Sequence, residues 1–218
     1  MSDESLFREV DEEVRREQAK KLWDRYGTYL VAVSLAVIVG VAGWKGWQYW
    51  QLSRSQAAAK VYFNQGADAA GPRDSDLQEL ARSGPAGYAL LARFSLAGEL
   101  AKTGKRDEAV KAYEAIAADR SVPQAFREAA TIRAAYLLAD TASSADLKAR
   151  LADLDKPESV WRLPIKEIYA LAAWREGRYQ DAYRLVGEIA ADPAAPQGMR
   201  QRAQIMAAVL QPLLKAKS

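Results

Sequence analysis

The 218-residue chain reads as all-α, with one N-terminal membrane-spanning helix followed by a solenoid of helix pairs. Three observations predict this. Gly27 to Trp44 runs for eighteen positions without a charge in a chain that is 27% charged overall. After Trp50 the sequence is rich in Ala, Leu, Glu, Lys and Arg, with helical periodicity and no convincing run of alternating β-branched residues. Within that outer portion, two segments repeat each other at identical internal spacing.

The first element, residues 1–26, is a charged leader with eight acids: Asp3, Glu4, Glu9, Asp11, Glu12, Glu13, Glu17 and Asp24. Phe7, Val10, Val14 and Leu22 fall near helical spacing, and acids precede bases, the order a helix dipole favours. Ser5 followed by Arg8 supplies only half of a capping box. The leader is expected to be an amphipathic helix entering the span. A helix lying along the inner leaflet and a solvated helix both fit this pattern.

The second element, residues 27–50, is expected to cross the bilayer. From Thr28 to Trp50 a helix extends roughly 33 Å, enough for the hydrocarbon core. Tyr26 and Tyr29 at one end, with Trp44, Trp47, Tyr49 and Trp50 at the other, form the aromatic belts of membrane–water interfaces. Lys45 lies near the outer edge, where its stem can snorkel to the headgroups. A cleaved export signal has a short basic leader and a core of about 7–15 apolar residues. Here the leader is long and acidic, the core ends in tryptophans, and Ala57-Ala58-Ala59 lies too far beyond it. The segment therefore reads as an uncleaved signal-anchor. Arg15, Arg16, Lys20, Lys21 and Arg25 precede it against Lys45, Arg54 and Lys60 after it, which keeps the N-terminus cytoplasmic. Ala32, Ala36 and Gly40 repeat every four residues, a ridge on which another transmembrane helix could pack.

The third element, residues 51–218, would then lie outside the cytoplasm. Breaks at Gly71-Pro72, Gly84-Pro85, Pro123, Pro157, Pro164, Pro193 and Pro196 divide it into helices. The expected ranges are about 52–69, 74–82, 86–103, 106–119, 123–140, 143–154, 163–176, 179–191 and 197–211, joined by short turns as antiparallel pairs.

Composition excludes much chemistry. Without cysteine there is no disulfide framework or thiol nucleophile, and without histidine the commonest general base and transition-metal ligand are gone. The outer portion holds 24 Lys and Arg against 20 Asp and Glu, too balanced for a nucleic-acid footprint. The acid pair Asp153 and Asp155 falls where a turn is expected. Asp107, Glu108 and Asp181 fall in first helical turns, where acids favour the dipole. No phosphate loop or nucleophile elbow appears. No catalytic residue, metal site or cofactor is expected, and the chain does not read as an enzyme.

The internal repeat is specific. Leu96-Ala97, Gly104-Lys105-Arg106-Asp107-Glu108-Ala109 and Ile116 match Tyr169-Ala170, Gly177-Arg178-Tyr179-Gln180-Asp181-Ala182 and Ile189, all offset by 73 residues. That is two periods of about 36, with 123–154 filling the unit between. The small residues Ala97, Ala170, Ala109 and Ala182, the turn glycines, and the larger Tyr113 and Val186 resemble the packing positions of tetratricopeptide repeats. The outer portion is thus expected to be a tetratricopeptide-like α-solenoid. It departs from the repeat pattern at the early tryptophan position, occupied by Arg93 and Lys166, and in a displaced or absent late proline.

The order leader, span, Gly46-Trp47-Gln48-Tyr49-Trp50 and Ser53-Arg54-Ser55-Gln56-Ala57-Ala58-Ala59-Lys60-Val61-Tyr62 resembles the bacterial YfgM family. That resemblance implies an inner-membrane protein with a periplasmic repeat domain. It also implies an accessory of the Sec translocon, acting with a membrane-anchored periplasmic chaperone of the peptidyl-prolyl isomerase type. The leader here is longer and more charged than that family's. An envelope adaptor for cell division or outer-membrane assembly shares the same architecture.

Stacked helix pairs curve, and their first helices line a concave face suited to a peptide. Alignment to the repeat places Phe94, Lys102, Thr131, Glu167, Trp174 and Arg175 on that face. Two roles fit Phe94 and Trp174: aromatic anchors for a partner, or packing between helices.

Overall fold

The computed structural model describes residues 3–63 and 74–215, and every regular element among them is a helix. The chain divides into two compact units, Met1–Ala57 and Ala58–Ser218.

The described residues of the first unit lie within a single helix, α1 (Asp3–Phe63). Leader, span and the start of the Ala-rich segment, distinct in the sequence, are continuous in the backbone. No proline precedes Pro72, so every residue of α1 keeps its backbone donor. In lipid the glycines at 40, 43 and 46 cannot break the helix cheaply, because freed backbone groups would find no water. Between Lys20 and Phe63, α1 is long and apolar enough to cross a membrane. Its apolar side chains are exposed, Val39 at 68% and Ile38 at 63%, the reverse of a core helix in a soluble domain. The Trp47 and Trp50 rings lie tilted with centroids 5.4 Å apart, and the Arg54 guanidinium lies 4.8 Å from the Trp50 ring. Leu22 is exposed. The side chains of Phe7, Val10 and Val14 lie outside the described residues, as does the stretch 64–69 of the helix expected at 52–69.

The second unit takes in the end of α1 from Ala58 and then α2 (Asp74–Ser83), α3 (Ala86–Lys102), α4 (Arg106–Ala118) and α5 (Gln124–Leu138). It continues through α6 (Ser144–Leu151), α7 (Arg162–Arg175), α8 (Tyr179–Ala191) and α9 (Gln197–Lys215). Four core clusters follow one another along the chain, each between a helix pair and the first helix of the next. Ala58, Leu77, Leu80 and Ala92 join the end of α1 to α2 and α3. Leu90, Ala97, Tyr113, Ile116 and Ala130 join α3, α4 and α5. Leu147, Leu151, Ile165 and Ile168 hold α6 between α5 and α7, while Ala170, Ala182, Ile189 and Leu210 join α7, α8 and α9. Each helix touches only near neighbours, the arrangement of a solenoid. Ala97, Ala109, Ala130, Ala170 and Ala182 are fully buried, and their lack of bulk lets the paired helices approach closely.

The repeat is as clear in the turns as in the packing. Gly104 and Gly177 have φ of +80° and +72°. In both turns the following residue donates five residues back, Lys105 N to Leu100 O and Arg178 N to Ala173 O, each at 2.9 Å. This is the Schellman closure that glycine permits without Cβ strain. Asp119 and Asp192 end α4 and α8 in extended conformation, and their carboxylates accept the N–H of Ser121 at 3.0 Å and Ala194 at 2.8 Å. Pro123 and Pro196 follow both turns at the same offset, so the displaced proline is part of the repeat. The middle unit departs: α6 has only eight residues and starts from a different signal, Ser143 capping the N–H of Asp146 at 3.1 Å. It ends three residues before the expected 154, whereas α9 runs four beyond 211, through Pro212.

A Cβ at Gly104 would meet nothing within 4 Å, so only the backbone opposes it. Gly104→Ala is expected to cost about 1 kcal/mol and lower the thermal midpoint by about 2–4 °C with helicity unchanged, as read by circular dichroism.

Candidate protein-interaction surfaces

Two surfaces of the second unit combine exposed apolar side chains with a concave shape. The first lies where α3 and α5 begin. Both helices start directly after a proline, Pro85 at φ −54° and Pro123 at φ −55°, which sets the entry angle but supplies no capping side chain. Neither helix has an acid in its first turn. Their first turns open into a groove of about 640 Å³, walled by Phe63, Leu90, Leu91, Val122 and Phe126. Phe63 is 67% exposed and Phe126 42%. Arg93 also lines it, with its guanidinium held by Asp119 at 2.8 Å.

The second surface is a shallower pocket of about 240 Å³ between α7 and α9, lined by Leu171, Trp174, Met206 and the exposed Ile205 and Val209. A polar ladder edges it. The Tyr136 hydroxyl donates to Glu167 Oε2 at 2.7 Å, and Arg202 donates to both Glu167 oxygens at 2.9 and 3.1 Å. Three successive first helices, α5, α7 and α9, are thereby tied together. Burial, reinforced by the Glu167 carboxylate, pushes the Tyr136 hydroxyl well above its ordinary range. The same carboxylate holds the Arg202 guanidinium more firmly protonated.

Charge also serves the turns. Glu176 accepts from Arg178 Nη2 at 2.7 Å, from the Ser144 hydroxyl at 2.8 Å and from the Ser144 N–H at 2.8 Å, which brings its carboxyl down to about 2. The Ser121 hydroxyl, then Arg93, lower Asp119 to about 2. Both acids are more acidic folded than unfolded, so their contribution is complete above the unfolded value near 4 and is lost as pH falls through the folded value. The thermal midpoint is expected to be flat from pH 7 to about 5 and to drop between about 4 and 2, as a pH series of melts would register.

The residues expected on the concave face are distributed among these features. Glu167 and Trp174 line the same pocket. Trp174 is half-buried, packing on the α7–α8–α9 cluster and lining that pocket. Phe94 is half-buried, its ring 5.9 Å from Tyr113 and 6.3 Å from Phe126, which is itself a groove wall. Thr131 donates to the Arg127 carbonyl at 3.1 Å, Lys102 pairs with Glu99 at 3.5 Å, and Arg175 reaches the Ala142 carbonyl and Glu176. These three join neither surface. Ala32, Ala36 and Gly40 lie on the exposed part of α1, where a Cβ at Gly40 would meet nothing within 4 Å. Phe63, Phe126, Ile205 and Val209 were not expected as surface residues. The signal for the last two was present, since they sit four apart and off the stripe of Ala203, Met206 and Leu210 that α9 buries. Asp155 accepts from the Tyr169 hydroxyl at 3.1 Å, a structural use of the Asp153–Asp155 turn. Among the described residues no group of His, Cys, Asp and Glu could hold a metal ion, and no catalytic constellation is formed.

Stacked helix pairs with glycine-closed turns and buried alanines define a helical-repeat interaction domain. The model of the tetratricopeptide repeat-like domain family matches residues 20–161, and the chain belongs to that family. The match takes in the membrane-length apolar part of α1 and stops before α7, so the last repeat rests on its own geometry and its 73-residue offset. No curated protein and no solved structure matches the chain.

Proposed function

We propose that the protein is a membrane-anchored scaffold whose repeat domain binds other proteins by surface complementarity. The carrying observation is the joining of an exposed, membrane-length apolar helix to a repeat domain that presents apolar grooves. Anchoring raises the local concentration of such a domain near membrane partners, so individually weak contacts suffice. The basic bias before the span supports a cytoplasmic N-terminus and a periplasmic repeat domain. The resemblance of residues 46–62 to the YfgM family supports an inner-membrane accessory of the Sec translocon, working beside a periplasmic isomerase-type chaperone.

Purification of the tagged full-length protein in mild detergent, followed by mass spectrometry, tests this against a chain truncated after residue 57. Translocon subunits and a periplasmic isomerase are expected with the full chain and absent from the truncated one. Cell-division or outer-membrane-assembly proteins in their place would establish the envelope-adaptor reading instead. Trp174→Ala is expected to reduce recovery of the partners several-fold while far-ultraviolet circular dichroism stays unchanged. An equal loss of helicity would assign Trp174 to the core alone.

A further inference from the structure

The groove at the start of α3 and α5 has a chemistry that the stacking of repeats does not require. Its walls are bulky and apolar, with Phe63 and Phe126 left exposed. Burying such a surface is favourable at about 25 cal/mol per Å². The charge around it is mixed, with Arg93 paired to Asp119 at 2.8 Å and the Asp119 carboxylate also accepting from the lining residue Ser121, so the excess of positive charge comes from Arg82 and Arg120. Arg93 lines it, and no carboxylate does among the described residues. Arg82 and Arg120, adjacent in the chain to the lining residues Ala81 and Ser121, are both exposed. The uncapped first turns of α3 and α5 add the positive ends of two helix dipoles. The adjoining chain from Asn64 to Arg73 reads NQGADAAGPR and carries no large apolar side chain suited to the groove.

We infer that this groove is the docking site for an acidic amphipathic segment of a partner protein. Bulky apolar side chains of that segment enter between Phe63, Leu91 and Phe126, and its flanking carboxylates lie against Arg82, Arg120 and the two helix starts. A basic segment of equal hydrophobicity is rejected by the same charges. The inference rests on the scaffold reading and deepens it by naming the chemistry of the partner.

The probe is a fluorescein-labelled synthetic peptide with Leu and Phe at helical three- and four-residue spacing and Glu between them. A second peptide carries Lys in place of every Glu. Each is titrated by fluorescence anisotropy with the full-length protein in nanodiscs of zwitterionic lipid. The Glu peptide is expected to bind at least about tenfold more tightly than the Lys peptide. Phe63→Ser combined with Phe126→Ser should weaken it by at least about tenfold, and Ile205→Ser in the α7–α9 pocket should leave it unchanged. Arg82→Glu combined with Arg120→Glu changes only exposed side chains and should reverse the preference between the peptides. Equal affinity for the two peptides, or indifference to Phe63 and Phe126, overturns the inference. If the peptide fails to bind while partners still co-purify with the full chain, the groove assignment falls and the scaffold reading stands. If neither is found, both fall.

Discussion

Replacing Ile189 with alanine is expected to unfold the C-terminal end of the repeat array ahead of the rest. Ile189 is fully buried where α7, α8 and α9 meet, packed with Ala170, Val186 and Leu210. Removing a large aliphatic side chain from such a site costs about 2–5 kcal/mol, part lost transfer energy and part cavity. In a globular core that loss is shared by the whole domain. Here each cluster touches only its neighbours, so stability is a sum of repeat and interface contributions and the loss stays local. Hydrogen exchange should show the amides of α8 and α9 losing protection while those of α3 and α4 keep theirs. Ile116, the counterpart 73 residues earlier and 1% exposed, supplies the mirror experiment. Ile116→Ala should loosen α3 to α5 and spare α8 and α9. Uniform loss of protection in both variants would show that the helices unfold as one cooperative body.

The sequence carried the repeat well because its marks are backbone requirements. A glycine that must adopt positive φ and an alanine that must admit a neighbouring helix have few substitutes, so both survive at the same offset in a degenerate array. The middle unit lacks these marks. Leu147 and Leu151, both fully buried, hold the short helix α6, and its start is set by the Ser143 cap, so only its length betrayed it. The apolar helix is legible from its uncharged run, its length and its flanking aromatics, and its continuation from the leader is expected, whereas nothing in the sequence marks that it runs unbroken into the Ala-rich segment as far as Phe63. The grooves were the least legible. Phe63 and Phe126 look like core residues in sequence, and only folding leaves them exposed on one surface. Glu167 was expected on the concave face for its alignment position, but its fixed partners, Tyr136 and Arg202, are distant in the chain.

That partnership makes Glu167→Ala the most informative single change at the α7–α9 pocket. The Glu167 side chain is 12% exposed, and it accepts from the Tyr136 hydroxyl and from Arg202 Nε and Nη2. Truncation leaves a half-buried hydroxyl without its acceptor, for an expected cost of about 1–3 kcal/mol. Glu167→Gln keeps an acceptor for Tyr136 but loses the charge that holds Arg202, so it should cost less. Tyr136→Phe combined with Glu167→Ala removes both ends of the same bond. The double variant should therefore be less destabilised than the sum of the singles, by about 0.5–3 kcal/mol. Denaturant melts of the wild type, Tyr136→Phe, Glu167→Ala and the double variant measure this directly. If Glu167 served a partner alone, its truncation would reduce partner recovery with no shift in midpoint and no coupling to Tyr136. Joint loss of stability and recovery would show that the ladder across α5, α7 and α9 sets the shape of the surface a partner meets.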